Sequence, residues 1–397
     1  MIRRHGDQQR RPAPPAVRSG GRQPFTVGIE EELQLLDPLT GALASGIERL
    51  IADAPASLRL QRELLQCMVE LSTEPAATAE AAAEELAHLR ARLARHARRV
   101  GLDVAAAGTH PFSHHAVQEV TDQPRYQGLL GEMRWLARRN CVFGLHVHVG
   151  CDDLESLIAA ANRARSSIPE LLALSGNSPF SAGIDTGFAS ARAQIVAGFP
   201  RSGLPPAFAG WRAFERYVDA GRRAGILADA TRLWWDVRPS PRYGTVEIRV
   251  FDAQTRVDRV GPLAALVQAL VATASADHER GHRRPDVPEL VLAENRLRAA
   301  RDGLDAVLVD VERDTERSAR IAVLELLDDC EPAARRLGSL AELRACERLL
   351  LAPTGAQEQR TLHDRTGSLP AVTRWLADRT APLSVQEDDA ALVGADA

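Results

Sequence analysis

The chain has 397 residues, 45% hydrophobic and 26% charged, with 49 basic against 53 acidic side chains and a net charge of −4. That is the profile of a soluble globular protein, long enough for one large domain or two ordinary ones, and its charge balance points to neither nucleic acid nor membrane as a partner. The most apolar stretch, roughly Pro262 to Ala276, is broken by Gln268 and is too short to span a bilayer. Five cysteines (Cys67, Cys141, Cys151, Cys330 and Cys346) include no CxxC pair. They read as reduced thiols of a cytoplasmic protein, without a disulfide framework or zinc knuckle.

Residues 1–24 carry Arg, Gln, Pro and Gly with almost no apolar periodicity, and disorder is expected there. Order begins at Phe25-Thr-Val-Gly-Ile29, a short β-rich run leading into Glu30-Glu-Glu32, and a second strand is expected at Met68–Ser72. Thr78 opens a helix with Leu86, Leu89, Leu93, Ala97 and Val100 on one face and the arginines largely elsewhere. Further strands are expected at Val104–Gly108, Phe143–Val149 and Thr245–Phe251. Asp152 with Glu155 predicts an N-cap and a helix through about Arg165. The Gly-, Ser- and Pro-rich stretch from Ser175 to Pro206 reads as a long loop, which in a compact protein is usually functional or disordered. From about Asp258 the pattern is almost wholly helical, ending in an acidic tail at 381–397 that is also expected to be disordered. The whole reads as an α+β domain over 25–380 with strands drawn from distant parts of the chain.

Four constellations carry potential chemistry. In Gly28-Ile29-Glu30-Glu31-Glu32, strand alternation puts Glu30 and Glu32 on one face, about 7 Å apart, with Glu31 turned away. Two such carboxylates repel unless cations sit beside them, and magnesium, which takes hard oxygen ligands, suits them; an exposed acidic strand end is the alternative. Glu70, in Leu65-Gln-Cys-Met-Val-Glu-Leu-Ser72, is expected opposite Val69 and Leu71, with Glu63 near enough to reach the same place. In Gly144-Leu-His146-Val-His148-Val-Gly150 both histidines face one way, a metal or phosphate signal, or else two histidines on a polar sheet face. His110, His114 and His115 read as a surface loop near the site. Finally, Glu247 and Arg249 share a strand face, offering a carboxylate for metal and a guanidinium for phosphate, with Arg238 and Arg242 on a proline-stiffened turn as further phosphate donors. A cross-strand ion pair is the plainer reading. The chain has no GxGxxG and no GxxxxGK[ST], so any use of ATP lies outside the Rossmann and P-loop solutions.

Read in order, the strings Val27-Gly-Ile-Glu-Glu-Glu32, Glu63-Leu-Leu-Gln66, Val69-Glu70, Gly108-Thr-His-Pro-Phe112, Thr121-Asp122 before Arg125-Tyr126, and His146-Val-His-Val-Gly150 resemble the carboxylate-amine ligases, or type 2 glutamate–cysteine ligases. Ser178-Pro-Phe180, Asp185-Thr-Gly-Phe-Ala-Ser190 with Arg192, Leu233-Trp-Trp-Asp-Val-Arg-Pro-Ser-Pro-Arg242 and Glu247-Ile-Arg249 continue the series, which covers about residues 25–375. Where the family often has aromatics after Glu-Asn and before Gly-Leu-Asp, this chain has Arg296-Leu297 and Asp302, and Ser181-Ala-Gly183 stands where a Trp is common.

The resemblance implies a glutamine synthetase-like fold, an antiparallel sheet forming an active-site funnel with helices packed outside. It implies ATP and Mg2+ as cofactors, and glutamate or a similar carboxylate plus an amine such as cysteine as substrates, joined through an acyl phosphate. Glu30, Glu32, Glu70 and Glu247 would ligate magnesium, with Glu63 a further ligand on spacing alone. His146 would bind metal or phosphate, with His148, Arg238 and Arg242 toward the nucleotide, and Arg249 and Arg192 would contact phosphate or substrate carboxylate. Two other readings stay open: a zinc hydrolase built on the HxH strand, and a non-catalytic nucleotide-binding relative. Homo-oligomerisation is left open as well.

Overall fold

The computed structural model describes residues 24–282 and 284–381. The arm at 1–24 and the tail at 381–397 therefore lie outside the described residues, apart from Pro24 and Ala381. The strands are β1 (Val27–Leu36), β2 (Gln61–Arg62), β3 (Met68–Ser72), β4 (Asp103–Ala105), β5 (Gly144–Gly150), β6 (Phe180–Ser181), β7 (Ile184–Asp185), β8 (Ser202–Gly203), β9 (Trp234–Trp235), β10 (Val237–Ser240), β11 (Thr245–Asp252), β12 (Val307–Asp310) and β13 (Thr315–Ser318). The helices are α1 (Ile47–Ala52), α2 (Ala79–Arg99), α3 (Pro124–Met133), α4 (Trp135–Arg139), α5 (Leu154–Ser166), α6 (Ile168–Ser175) and α7 (Ala191–Ala197). They continue with α8 (Trp211–Arg223), α9 (Val260–Glu279), α10 (Glu289–Asp302), α11 (Ala319–Leu337), α12 (Leu340–Leu351), α13 (Gly355–Thr366) and α14 (Leu369–Thr380).

One seven-stranded sheet organises the chain, in the order β10-β11-β5-β1-β3-β2, with β4 paired to the end of β1. Every pairing in it is antiparallel. Alternation gives this sheet two unlike faces. Val27, Ile29, Leu33 and Leu35 of β1, Leu145, Val147 and Val149 of β5, and Val246 and Ile248 of β11 are buried on one face. Helices α2, α5 and α9 cover that face, and each apolar side chain fully buried there contributes about 1.5–3 kcal/mol. The opposite face carries the glutamates and histidines.

Several sequence expectations are corrected. Strand β1 carries Glu30-Glu-Glu32, as alternation requires, and extends further, to Leu36, with Glu31 paired to Arg90 in the core and Leu33 to Leu36 buried. Helix α5 is capped by Asp153, not Asp152: the Asp153 carboxylate accepts from the Glu155 and Ser156 amides at 2.8 Å. The stretch 175–206 is not a structureless loop. Ser190 caps α7 by accepting from the Ala193 amide, and the short strands β6 and β7 form a hairpin. In the C-terminal third the chain breaks from helix into the hairpin β12–β13, whose turn is closed by Asp310 Oδ1 accepting from the Glu312 and Arg313 amides. The apolar run at 262–276 belongs to the 20-residue helix α9, in which every residue from Val260 to Ser275 is buried, so it is a core helix of this fold.

Candidate active site

Register alone assembles most of the site. Glu30 lies opposite His146 of β5 on one side and Ser72 of β3 on the other, and Glu32 lies opposite Glu70. Further across, His148 lies opposite Glu247, and Glu247 opposite Arg238. The sequence-predicted residues thus form adjacent rungs on one face, brought together from positions more than two hundred residues apart.

The Glu30 carboxylate bridges the two histidines, 3.4 Å from His146 Nδ1 and 3.3 Å from His148 Nε2. Burial raises its pKa, but hydrogen bonds from both imidazoles more than offset that and hold the carboxyl well below its usual range. Glu247 is fully buried and held in a fork by Arg238, whose Nε and Nη2 donate at 2.7 and 3.0 Å, with Arg249 Nη1 on the same carboxylate. Burial pushes Glu247 up, and Arg249 and Arg238 pull it down to about 2. The histidines are driven apart: burial, then Arg249, lowers His146, whereas Glu30 and Glu247 outweigh burial at His148 and raise it.

The other end of the face is crowded with carboxylates. Burial, then Glu63, Glu30 and Glu32, raise Glu70 well above the ordinary range, and burial with Glu32 lifts Glu63 to about 7 although Arg125 draws it down. A divalent cation relieves that kind of crowding, and the donor set fits one. Glu30, His146 and Glu247 bring ligand atoms within 4.8 Å of one another, as do Glu32, Glu70 and His146. His146 Nε2 is buried and has no hydrogen-bond partner among the described residues. Oxygen-rich sets of this kind suit magnesium. Neither set contains both histidines, which argues against a zinc site built on the HxH pair.

Arg192 lies beneath this floor. Its Nη1 and Nη2 donate to the carbonyls of Val250 and Arg249 at 3.3 and 3.1 Å, and its Nε has no partner among the described residues. Gly144 makes room for it: a Cβ there would stand 2.3 Å from Arg192 Nη2 and 2.9 Å from His146 Nε2, while the Gly144 amide donates to Glu32 at 2.5 Å. Gly144→Ala is therefore expected to lower turnover on the order of tenfold or more by displacing Arg192 and His146. Steady-state rates check this, and an unchanged rate would show that the floor yields freely.

Two expectations about flanking residues fail. Arg242 is not brought to the cluster. It is exposed on the β10–β11 turn, its guanidinium 5.5 Å from the Tyr243 ring centroid, because that turn carries it past the end of the sheet face. His110 is not in a surface loop. It is buried, its Nδ1 accepting from the Phe112 and Ser113 amides and its Nε2 donating to the Gly41 carbonyl at 2.9 Å, and burial lowers its pKa to about 4.

Three charged residues with no role in the sequence reading support the site from within the fold. Asp252 accepts from Ser178 Oγ at 2.7 Å, Ser190 Oγ at 2.8 Å and the Asn177 amide at 2.8 Å. On a regular strand it would face away from Glu247. The register shift between Ile248 and Phe251 inserts one extra residue and turns it back. Asp236 and Arg296 form a buried pair, at 2.5 and 3.1 Å, and the Asp236 carbonyl accepts from the Arg249 amide at 2.8 Å. The pair thereby pins the bulge that presents Arg249 to Glu247. Arg296, a departure from the family's aromatic habit near Glu294-Asn295, is thus tied into the site's support.

Comparison with solved structures sets the fold. A glutamate–cysteine ligase from Francisella tularensis in complex with AMP superposes with a TM-score of 0.66 at 15% identity, over 91% of this chain and 90% of that one. The ligase PafA, in its complex with the prokaryotic ubiquitin-like protein Pup, superposes with a TM-score of 0.51 at 12% identity, over 93% and 78%. The fold is that of the glutamine synthetase-like ligases. Residues 26–376 match the model of glutamate-cysteine ligase family 2, and the chain belongs to that family. A Rubrobacter xylanophilus protein provisionally named glutamate–cysteine ligase 2-3 is 43% identical over 368 residues, 92% of this chain and 99% of that one. A Thermobifida fusca protein provisionally named glutamate–cysteine ligase 2 is 38% identical, over 87% and 88%. This chain is an ATP-dependent carboxylate–amine ligase.

Proposed function

We propose that residues 25–380 act as one catalytic domain that activates the carboxylate of glutamate, or of a similar acid, as an acyl phosphate and passes it to an amine such as that of cysteine. The observation that carries this reading is the pair of carboxylate–histidine sets sharing His146 on one sheet face. Glu30, Glu32, Glu70 and Glu247, with Glu63 beside them, would hold magnesium, which when bound neutralises phosphate charge. His148 and Arg238 line the nucleotide side, and Arg249 and Arg192 stabilise charge on the transferring phosphoryl oxygens. A substrate carboxylate oxygen attacks the γ-phosphorus and ADP leaves. The amine nitrogen then attacks the acyl carbon, phosphate departs with that oxygen, and the amine gives up a proton. The Francisella ligase of like fold was solved in complex with AMP, which supports the use of a nucleotide. The five cysteines are free and buried, which fits a reducing compartment such as the cytoplasm.

With ATP, magnesium and glutamate present, hydroxylamine is expected to trap a hydroxamate, because a small strong nucleophile intercepts an acyl phosphate. Oxygen-18 from the substrate carboxylate should appear in the released phosphate, one label per turnover. Products of AMP and pyrophosphate would instead place the attack at the α-phosphorus and overturn the acyl-phosphate reading.

A further inference from the structure

The register shift in β11 falls between Ile248 and Phe251, so Arg249 and Val250 stand in the bulge, out of the regular ladder with β5. Buried backbone groups at such a place have to find partners elsewhere. The Arg249 amide donates to the Asp236 carbonyl at 2.8 Å. The carbonyls of Val250 and Arg249 accept from Arg192 Nη1 and Nη2 at 3.3 and 3.1 Å. Arg192 arrives from the first turn of α7, a helix too short to hold its own position by backbone bonds alone.

The same strand holds that helix. Just past the bulge, Asp252 Oδ2 accepts from Ser178 Oγ at 2.7 Å, and Ser178 Oγ accepts from the Arg192 amide at 3.1 Å. Asp252 Oδ1 accepts from Ser190 Oγ at 2.8 Å, and Ser190 Oγ accepts from the Ala193 amide at 3.2 Å. The two serine segments are stitched side by side, Ser178 N donating to Ala189 O and Ala191 N to Ser178 O, both at 3.0 Å. Asp252, Ser178 and Ser190 are buried, as is Arg192. Gly108 leaves the carboxylate its space, since a Cβ there would stand 2.6 Å from Asp252 Cγ. The bonds therefore close a circuit. The bulge turns Asp252 onto the serines, the serines fix the start of α7, α7 delivers Arg192, and Arg192 ties off the carbonyls of the bulge.

We propose that Asp252 is the positioning residue for both arginines assigned to the phosphoryl group. It acts on Arg192 through Ser178 and Ser190, and through Arg192 on the bulge that carries Arg249. The proposal rests on the ligase reading above for what the arginines do, and it adds that their geometry is set as one unit. Neither arginine shifts without releasing bonds that hold the other, and a donor aimed at a transition state loses its effect when it moves by a fraction of an ångström.

The test uses the full chain and two readouts. Asp252→Asn is the direct variant. Because altering a buried carboxylate with three donors endangers folding, Ser178→Ala and Ser190→Ala, each removing one relay, accompany it. Hydrogen exchange, read by mass spectrometry without substrates, follows residues 191–197 and 248–252. Ser190→Ala is expected to speed exchange about fivefold or more in both stretches, and Arg192→Lys to do the same. In turnover, each serine variant should lower kcat about tenfold and leave the KM for ATP within about twofold. In an Arg192→Lys background, where the circuit is already open, Ser190→Ala should lower kcat by less than about twofold further. The proposal is overturned if Ser190→Ala loosens 191–197 and leaves 248–252 unchanged. It is also overturned if the two losses in kcat multiply in full, as a general loss of stability would make them, or if the loss falls on KM alone. Failure of the ligase reading looks different: exchange would stay coupled across the two stretches while no acid and amine together release ADP.

Discussion

Glu30→Gln lowers ATP turnover at least about a hundredfold and leaves the melting temperature close to that of the unmodified chain. The rate effect follows from place and charge. Glu30 sits on the central strand between His146 and His148, and it belongs to one of the two ligand sets that meet at His146. An amide keeps the shape and removes the charge, and a lost charged ligand at a phosphoryl-transfer site is worth several kcal/mol. The small stability effect follows from its partners, which are two imidazoles and no guanidinium, with 31% of the side chain exposed. Glu247→Gln is expected to behave differently. It also loses activity, but it leaves Arg238 and Arg249 facing a neutral amide at a fully buried position, a loss of about 2–5 kcal/mol. Parallel rate and thermal-melt measurements on the two variants separate the roles. Near-normal turnover by Glu30→Gln would remove Glu30 from the machinery.

That contrast shows where the sequence was legible and where it was not. Alternation with a period of two is local, so Glu30 with Glu32, His146 with His148, and Glu247 with Arg249 are readable as same-face pairs from their own strings. The register that sets Glu247 opposite His148 is not local, nor is the fork that Arg238 makes on it. Asp252 escaped for a sharper reason: one inserted residue reverses the parity of everything beyond it, and nothing in Ile248-Arg-Val-Phe251 announces the insertion. His110 was misplaced because Pro111 and Ser113 give it the neighbours of a surface turn. Its Nε2 meets the Gly41 carbonyl, which is distant in sequence and close in the fold. The Gly-, Ser- and Pro-rich run at 175–206 hid α7 because the Ser190 cap and seven helical residues are too short to impose a period.

The largest stability effect is expected at a pair that half of the sequence reading foresaw. Glu31 turns away from the site, as alternation requires, and enters the core, where Arg90 of α2 meets it. Arg90 sits on the buried side of its helix, although the arginines of α2 otherwise read as solvent-facing. Its Nε donates to Glu31 Oε2 at 2.5 Å, Nη2 donates to Glu31 Oε1 and to the Gln254 carbonyl, and Nη1 donates to the Thr255 carbonyl at 3.2 Å. One guanidinium thus ties β1, α2 and the chain leaving β11 at a point where the two side chains are 0% and 1% exposed. Arg90→Met fills similar volume but strands a buried carboxylate and two carbonyls, so a loss of about 3–5 kcal/mol is expected, read as a shift of the urea midpoint. A second substitution separates charge from packing. In Arg90→Met with Glu31→Leu no ion is left unpaired, and the double variant should recover a substantial part of the loss, because a buried pair exchanged for apolar side chains is often close to neutral. Since neither residue reaches the sheet face that carries the site, turnover of the folded fraction should change only severalfold. A double variant no more stable than Arg90→Met would mean that the cost lies in the Gln254 and Thr255 carbonyls, and that the guanidinium serves the chain leaving β11 more than it serves Glu31.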